Sequence, residues 1–168
     1  ALALSAVSYL EPGRVTVTAA LPTIVGAGPG CSTERLDEIV AAIGAAIPLE
    51  VTPDIEGAQW TKLLINHVNA MPAITGLSVQ ETIDDRRLRR VIAASIRETS
   101  RVAAAAGGRF ADLQGLPGRT AGLLRALPLA AAEGLLLAFR RRLGEVPNPG
   151  STLQSIRRGR CTEIDFLN

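Results

Sequence analysis

The chain has 168 residues, 47% hydrophobic and 20% charged with a formal net charge of +2, the composition of a soluble globular protein with room for one sizeable core. Its basic residues are interspersed with acids and aromatics make up 3%, which leaves neither a basic stripe nor a stacking platform for nucleic acid. Cys31 and Cys161 belong to no CxxC pair and read as free thiols, and no HExxH or nucleophile-elbow motif supports a metal site or serine-triad chemistry.

Residues 2–9 are apolar, Glu11-Pro12-Gly13 is a turn, and Val15-Thr16-Val17-Thr18 alternates with the period of a strand. Pro22–Val25 is a further short strand. It ends in Gly26-Ala27-Gly28-Pro29-Gly30, which departs from GxGxxG because Cys31 takes the last position and Pro29 removes a backbone donor, so it reads as a tight surface turn. Ser32 caps a helix expected to run through Ile47, with Glu34 in its first turn, and Leu49–Thr52 is a last short strand. After Pro53 everything reads as helix. The first spans about 55–71 and is expected to stop at Pro72. Ser78-Val79-Gln80-Glu81 has the spacing of a capping box. Residues 84–106 form a long helix with Ile92, Ile96, Val102 and alanines inward, ended by Gly107-Gly108. Helices over about 119–127 and 129–143 part at Pro128, and a loop of prolines and glycine leads to a helix at Ser151.

The Leu123–Phe139 stretch is interrupted by Arg125, Pro128 and Glu133, which makes it a buried helix pair and not a membrane span. No signal peptide precedes the first structured segment, so a cytoplasmic protein is expected. The chain opens directly into a strand and closes inside an amphipathic element, Thr162–Asn168, so it is expected to be part of a larger protein. The shift in composition near residue 53 separates a β/α segment from an all-α one.

Lys62 is the only lysine, so seventeen of the 18 basic residues are arginine. Burial can lower a lysine pKa until it trades protons near neutrality, which arginine does not do; the alternative is that composition bias left one lysine over. On a helix Gln59, Lys62, Asn66 and Asn69 fall within about 80° of one another, while Trp60, Leu63, Leu64, Ile65, Val68 and Met71 fill the rest. A helix apolar nearly all round is buried, so its polar stripe faces either a ligand cavity or neighbouring backbone carbonyls. His67 points to the apolar side and is read as a neutral core residue. Ser151 and Gln154 have capping-box spacing, yet the same helix end suits a carboxylate ligand. Thr162 can cap a helix with Glu163 and Asp165 in its first turn.

Taken in order, Glu11-Pro-Gly-Arg-Val15, Trp60-Thr-Lys62-Leu-Leu-Ile-Asn66-His-Val-Asn69-Ala70 and Ser151–Asn168, which contains Thr162-Glu163-Ile-Asp165, resemble ketopantoate reductase (2-dehydropantoate 2-reductase). The resemblance covers essentially the whole chain. It implies a mainly α fold: a helical C-terminal domain like that of 6-phosphogluconate dehydrogenase, at 54–168, preceded at 1–53 by the last strands and helix of a truncated α/β Rossmann domain. It implies an oxidoreductase of pantothenate and coenzyme A biosynthesis that uses NADPH and a small 2-keto acid, with the glycine-rich cofactor motif upstream of Ala1 and the fragment alone inactive. By the same resemblance Lys62 is the general acid, Asn66 and Asn69 hold lysine and substrate, and Asn148 and Ser151 bind substrate polar groups including the carboxylate. Glu163 contacts the substrate hydroxyl, keeps the catalytic geometry and is a candidate cofactor contact. Many members carry the second asparagine eight residues after the lysine, where this chain has Ala70; Asn69 comes one residue earlier. Two alternatives stay open: a related 2-keto acid reductase, and a freestanding helical module that homodimerises through Leu123, Leu124, Leu135 and Leu136.

Overall fold

A computed structural model describes residues 1–162. The chain divides into two compact units, Ala1–Gln59 and Trp60–Asn168. In the first, β1 (Ala6–Glu11) and β2 (Arg14–Ala19) form an antiparallel hairpin with Val7 opposite Val17 and Glu11 opposite Arg14. Pro12 and Gly13 make the turn. Proline presets φ at the first central position, and Gly13 takes the positive φ (77°) that the second requires. The Glu11–Arg14 ion pair across it, 3.9 Å apart and largely exposed, adds little.

β3 (Thr23–Val25) and β4 (Leu49–Val51) pair in parallel, joined by the crossover helix α1 (Thr33–Gly44), which makes a βαβ unit. Leu2 bridges to the other edge of β3, each residue donating its N–H to the other's C=O at 2.7 and 2.9 Å. Leu4, Ile24, Val25 and Leu36 are buried. Ser32 caps α1 as expected, its hydroxyl accepting from the Arg35 N–H at 3.2 Å. The helix stops at Gly44, three residues short of Ile47; the Ala46 and Ile47 amides both turn back onto the Ile43 carbonyl. The glycine-rich stretch is the expected turn: the Cys31 N–H donates to the Gly28 C=O at 3.0 Å around Pro29 and a positive-φ Gly30.

α2 (Ile55–Thr75) leads into the helical unit and runs through Pro72 instead of ending there. Proline lacks the N–H that would bond the Val68 carbonyl, but its ring is fully buried, and packing outweighs the lost bond. The helix ends three residues later, where Gly76 takes φ 76°. The Ser78–Glu81 capping box is complete and opens α3 (Val79–Asp84). Asp85 then caps α4 (Arg86–Ala105) by accepting from the Arg87 and Leu88 amides. α5 (Gly118–Leu123), α6 (Leu129–Arg140) and α7 (Gly150–Arg157) follow in the described residues. α4 packs on α3, α5 and α6, and the core gathers Leu64, Val68, Val79, Ile83, Ile92, Ala93, Ile96, Ala121, Leu124, Ala132 and Leu136.

Three expectations about faces fail. Val102 is 57% exposed, because the buried stripe of α4 is Ile92, Ala93, Ile96, Ser100 and Ala103, and Val102 lies about 130° from its centre. α2 is not buried all round: Ala58, Thr61, Leu64, Val68 and Pro72 form one buried stripe, while Leu63 and Ile74 are exposed. Of the four leucines proposed for dimerisation, Leu124 and Leu136 belong to the core, and Leu123 and Leu135 alone remain exposed. Among the described residues no helix is long and apolar enough to cross a membrane.

Candidate functional site

Lys62, Asn66 and Asn69 line the border of α2 between its buried stripe and its exposed side, and all three are half-buried; Gln59, on the same face, is exposed. At 1.5 Å per residue the row from Lys62 to Asn69 spans about 10 Å. Partial burial lowers the Lys62 pKa below the ordinary 10.5, since desolvation penalises the ammonium form. Among the described residues no carboxylate lies within ion-pair distance of it. The stripe is not sealed either: among the described residues the buried side-chain polar atoms without a partner are Nε of Arg89 and Nε of Arg97, and none belongs to α2. Lys62, Asn66 and Asn69 thus keep polar atoms that solvent or a ligand can reach.

Two neighbouring side chains, Thr61 and His67, hold α2 in place. Thr61, fully buried, donates its hydroxyl to the Ala111 carbonyl at 2.7 Å. His67 is held between two hydroxyls of α4, Nδ1 2.9 Å from Ser95 Oγ and Nε2 2.8 Å from Thr99 Oγ1, and burial lowers its pKa below 6.5, favouring the neutral imidazole. It serves the packing of α2 on α4, in keeping with the core reading.

The second part of the site is the start of α7. Gly150 has φ 70°, and a Cβ built on it would lie 3.6 Å from Asn69 Oδ1 and 3.8 Å from the Asn69 carbonyl oxygen. The fold therefore brings the Asn148–Ser151 segment, remote in sequence, against the C-terminal end of the polar row. Asn148 Oδ1 accepts from the Gly150 N–H at 2.9 Å. Ser151 does not cap α7. The helix begins at Gly150 after Pro149, with no side-chain cap, and Gln154 Oε1 accepts instead from Arg158 at 3.1 Å. The capping-box expectation is overturned because Asn148, three residues earlier, already satisfies the entering amide. The first-turn amides of α7 after Gly150 then have no intrahelical acceptor, which suits an anionic group. Glu163 and Asp165 lie outside the described residues, as does any helix capped by Thr162.

Sequence reasoning missed Gln80. It stands inside the Ser78–Glu81 capping box, which reads as a solvated helix start, yet its side chain is buried and bonded to the loop before α7. Nothing in its local sequence signals this. A cavity of about 300 Å³ between α2, α4, α5 and α6 is a separate feature; it is lined mainly by apolar groups such as Leu64, Val68, Ile96 and Leu136, and by none of the predicted site residues.

The residues present do not form a dinucleotide cradle at Gly26–Gly30. That turn is closed by its own Gly28–Cys31 hydrogen bond, and Pro29 offers no N–H to a phosphate. Among the described residues no group of three or more His, Cys, Asp or Glu side chains is placed to hold a metal ion.

Comparison with known proteins gives likenesses of three kinds. The family described as "Ketopantoate reductase PanE/ApbA C terminal" matches residues 54–168. A 2-dehydropantoate 2-reductase from Pyrococcus horikoshii is 28% identical over 160 residues, covering 94% of this chain and 46% of the relative. The crystal structure of a PanE/ApbA family ketopantoate reductase from Ralstonia eutropha JMP134 superposes with a TM-score of 0.64 at 24% identity, covering 97% of this chain and 47% of that one. The chain spans about half the length of the relatives it matches, and the helical architecture after a few strands agrees with the expected fold.

Proposed function

The chain belongs to the ketopantoate reductase family, and on that premise we propose that it carries the substrate-binding and proton-donating part of an NADPH-dependent reductase that converts 2-dehydropantoate to pantoate, in the cytoplasmic synthesis of pantothenate and coenzyme A. Residues 54–168 act as the helical substrate domain and 1–53 as the end of a Rossmann domain. The β3–α1–β4 unit supports the second assignment, because such units build dinucleotide-binding sheets. Since Gly26–Gly30 is not a cofactor cradle, the glycine-rich segment that holds NADPH is assigned to sequence outside this chain.

The observation that carries the reading is the half-buried Lys62, with no carboxylate among the described residues within ion-pair distance, in one row with Asn66 and Asn69, which the start of α7 meets at Asn69. A 2-keto acid has a carboxylate and an adjacent carbonyl. The carboxylate fits the first-turn amides of α7 with Ser151, and the carbonyl oxygen lies towards Lys62. When that carbonyl is reduced, its oxygen gains negative charge, and Lys62 delivers a proton to it. Its lowered pKa brings the ammonium closer to neutrality, where a general acid works best. Asn66 and Asn69 orient the lysine and the substrate with amide dipoles, and Glu163 binds the substrate hydroxyl.

The test is NADPH oxidation by the full-length protein with 2-dehydropantoate. Lys62→Ala and Lys62→Arg should each lose about 10²–10⁴ in kcat with helical content intact. Turnover near wild type in either variant would remove Lys62 as proton donor. The rival dimerisation module predicts a harmless Lys62→Arg, and it has lost Leu124 and Leu136 to the core.

A further inference from the structure

The loop between α6 and α7 carries Asn148 and delivers the start of α7 to Asn69, yet its residues 144–148 are exposed and belong to no helix or strand. Gln80 is what fastens it. This side chain, 6% exposed at the start of α3, donates from Nε2 to the Gly144 carbonyl at 3.1 Å and the Val146 carbonyl at 2.8 Å. Its Oε1 accepts from the Asn148 N–H at 2.9 Å. The partners fix the orientation of the amide, because two carbonyls face the nitrogen and one N–H faces the oxygen. The adjacent Val79 N–H, a first-turn amide of α3 with no intrahelical acceptor, donates to the Asn148 carbonyl at 2.8 Å. Asn148 is thus clamped on both sides of its backbone by one end of α3, and its side chain in turn accepts from Gly150.

We infer that Gln80 is a positioning residue of the substrate site, holding the Asn148–Ser151 segment in register with Lys62 and Asn69 without touching the substrate; this rests on the reductase reading. The clamp has a cost if broken. Removing the buried amide leaves one N–H and two carbonyls of the loop without their partner, and the loop has no other described side-chain bond to α3. A satisfied buried network of this kind specifies one geometry, and a misplacement of about 1 Å at a substrate-orienting group can cost on the order of 10² in rate.

The experiment compares Gln80→Ala and Gln80→Glu with wild type in the full-length protein, reading KM for 2-dehydropantoate and for NADPH separately. Gln80→Glu is nearly isosteric and keeps the acceptor for Asn148, but it sets a carboxylate oxygen against two carbonyls; it carries the test if the alanine variant does not fold. The expected result is a keto-acid KM raised tenfold or more with the NADPH KM within twofold. A keto-acid KM raised less than threefold overturns the inference, and so does a parallel rise in the NADPH KM, which a merely structural role would produce. If neither variant folds, amide exchange in the wild type decides: protection of the Asn148 N–H supports the clamp, and exchange at the free-peptide rate removes it. No wild-type turnover of any 2-keto acid sinks the reductase reading itself, whereas turnover with an unmoved keto-acid KM in the variants sinks the Gln80 inference alone.

Discussion

Gly118→Ala separates packing from propensity. Gly118 is the buried first residue of α5, and alanine is the better helix former, so local preference alone predicts a gain of up to about 1 kcal/mol. The tertiary structure predicts the opposite. A Cβ at this position would sit 2.1 Å from the Phe110 carbonyl oxygen, 2.8 Å from its carbon and 3.1 Å from the Ala111 carbonyl carbon, all backbone atoms. An ordinary carbon–oxygen contact is about 3.3 Å, so the 110–111 backbone must retreat by roughly 1 Å. Two bonds resist that movement: the Gly118 N–H to Asp112 Oδ1 at 2.7 Å, and the buried Thr61 hydroxyl to the Ala111 carbonyl at 2.7 Å. Overpacking costs about 1–3 kcal/mol, and loss of a hydrogen bond to an ionised carboxylate about 1.5–3 kcal/mol. Less the propensity gain, the net loss is about 1.5–5 kcal/mol, or roughly 7–20 °C in Tm for a unit of this size. Thermal and urea unfolding followed by helical circular dichroism measure it. A Gly118→Ala protein within 2 °C of wild type, or more stable, would refute the reasoning.

The two serines read as helix caps should behave differently. Ser78→Ala removes the hydroxyl that accepts from the Glu81 amide and should cost about 1 kcal/mol in urea unfolding. Ser151→Ala removes no cap, so it should change stability by less than about 0.5 kcal/mol while raising the keto-acid KM; equal stability losses in the two variants would contradict the structure of α7. Lys62→Met tests the lysine through pH. Burial lowers the folded-state pKa of Lys62 below 10.5, so the unfolded chain holds its proton to higher pH. Wild-type stability therefore carries a penalty below the folded pKa that is relieved as pH rises from there towards 10.5. The Tm advantage of Lys62→Met over wild type should be largest at neutral pH and shrink towards 10.5. An advantage that stays flat, or grows, over that range would mean the lysine is not desolvated.

These tests converge on one arrangement. Thr61 and His67 fix the rotation and seating of α2 through hydrogen bonds to Ala111, Ser95 and Thr99, so the half-buried row they leave beside them faces a defined direction. Gln80 and Val79 fix the loop that meets the row. The polar residues assigned to chemistry are therefore held by groups that take no part in it, as a preorganised site requires.

What the sequence determined by itself is the local architecture. The Pro12-Gly13 turn, the Ser32 cap, the Ser78–Glu81 box and the stop at Gly107 were legible because each depends on residues within one turn of chain, where φ preferences and nearby amides decide the outcome. Lys62, Asn66 and Asn69 could be placed in one row from helix geometry alone, and the order of the segments carried the family likeness. Only the tertiary structure decided which faces were buried. Pro72 stays inside α2 because its ring is packed, Val102 turns to solvent because α4 buries a different stripe, and Leu124 and Leu136 enter the core while Leu123 and Leu135 do not. The meeting of Gly150 with Asn69, and of Gln80 with a loop more than sixty residues away, is set by partners remote in sequence. Periodicity shows that a helix has an apolar side, but the width and direction of the buried stripe depend on the elements that pack against it.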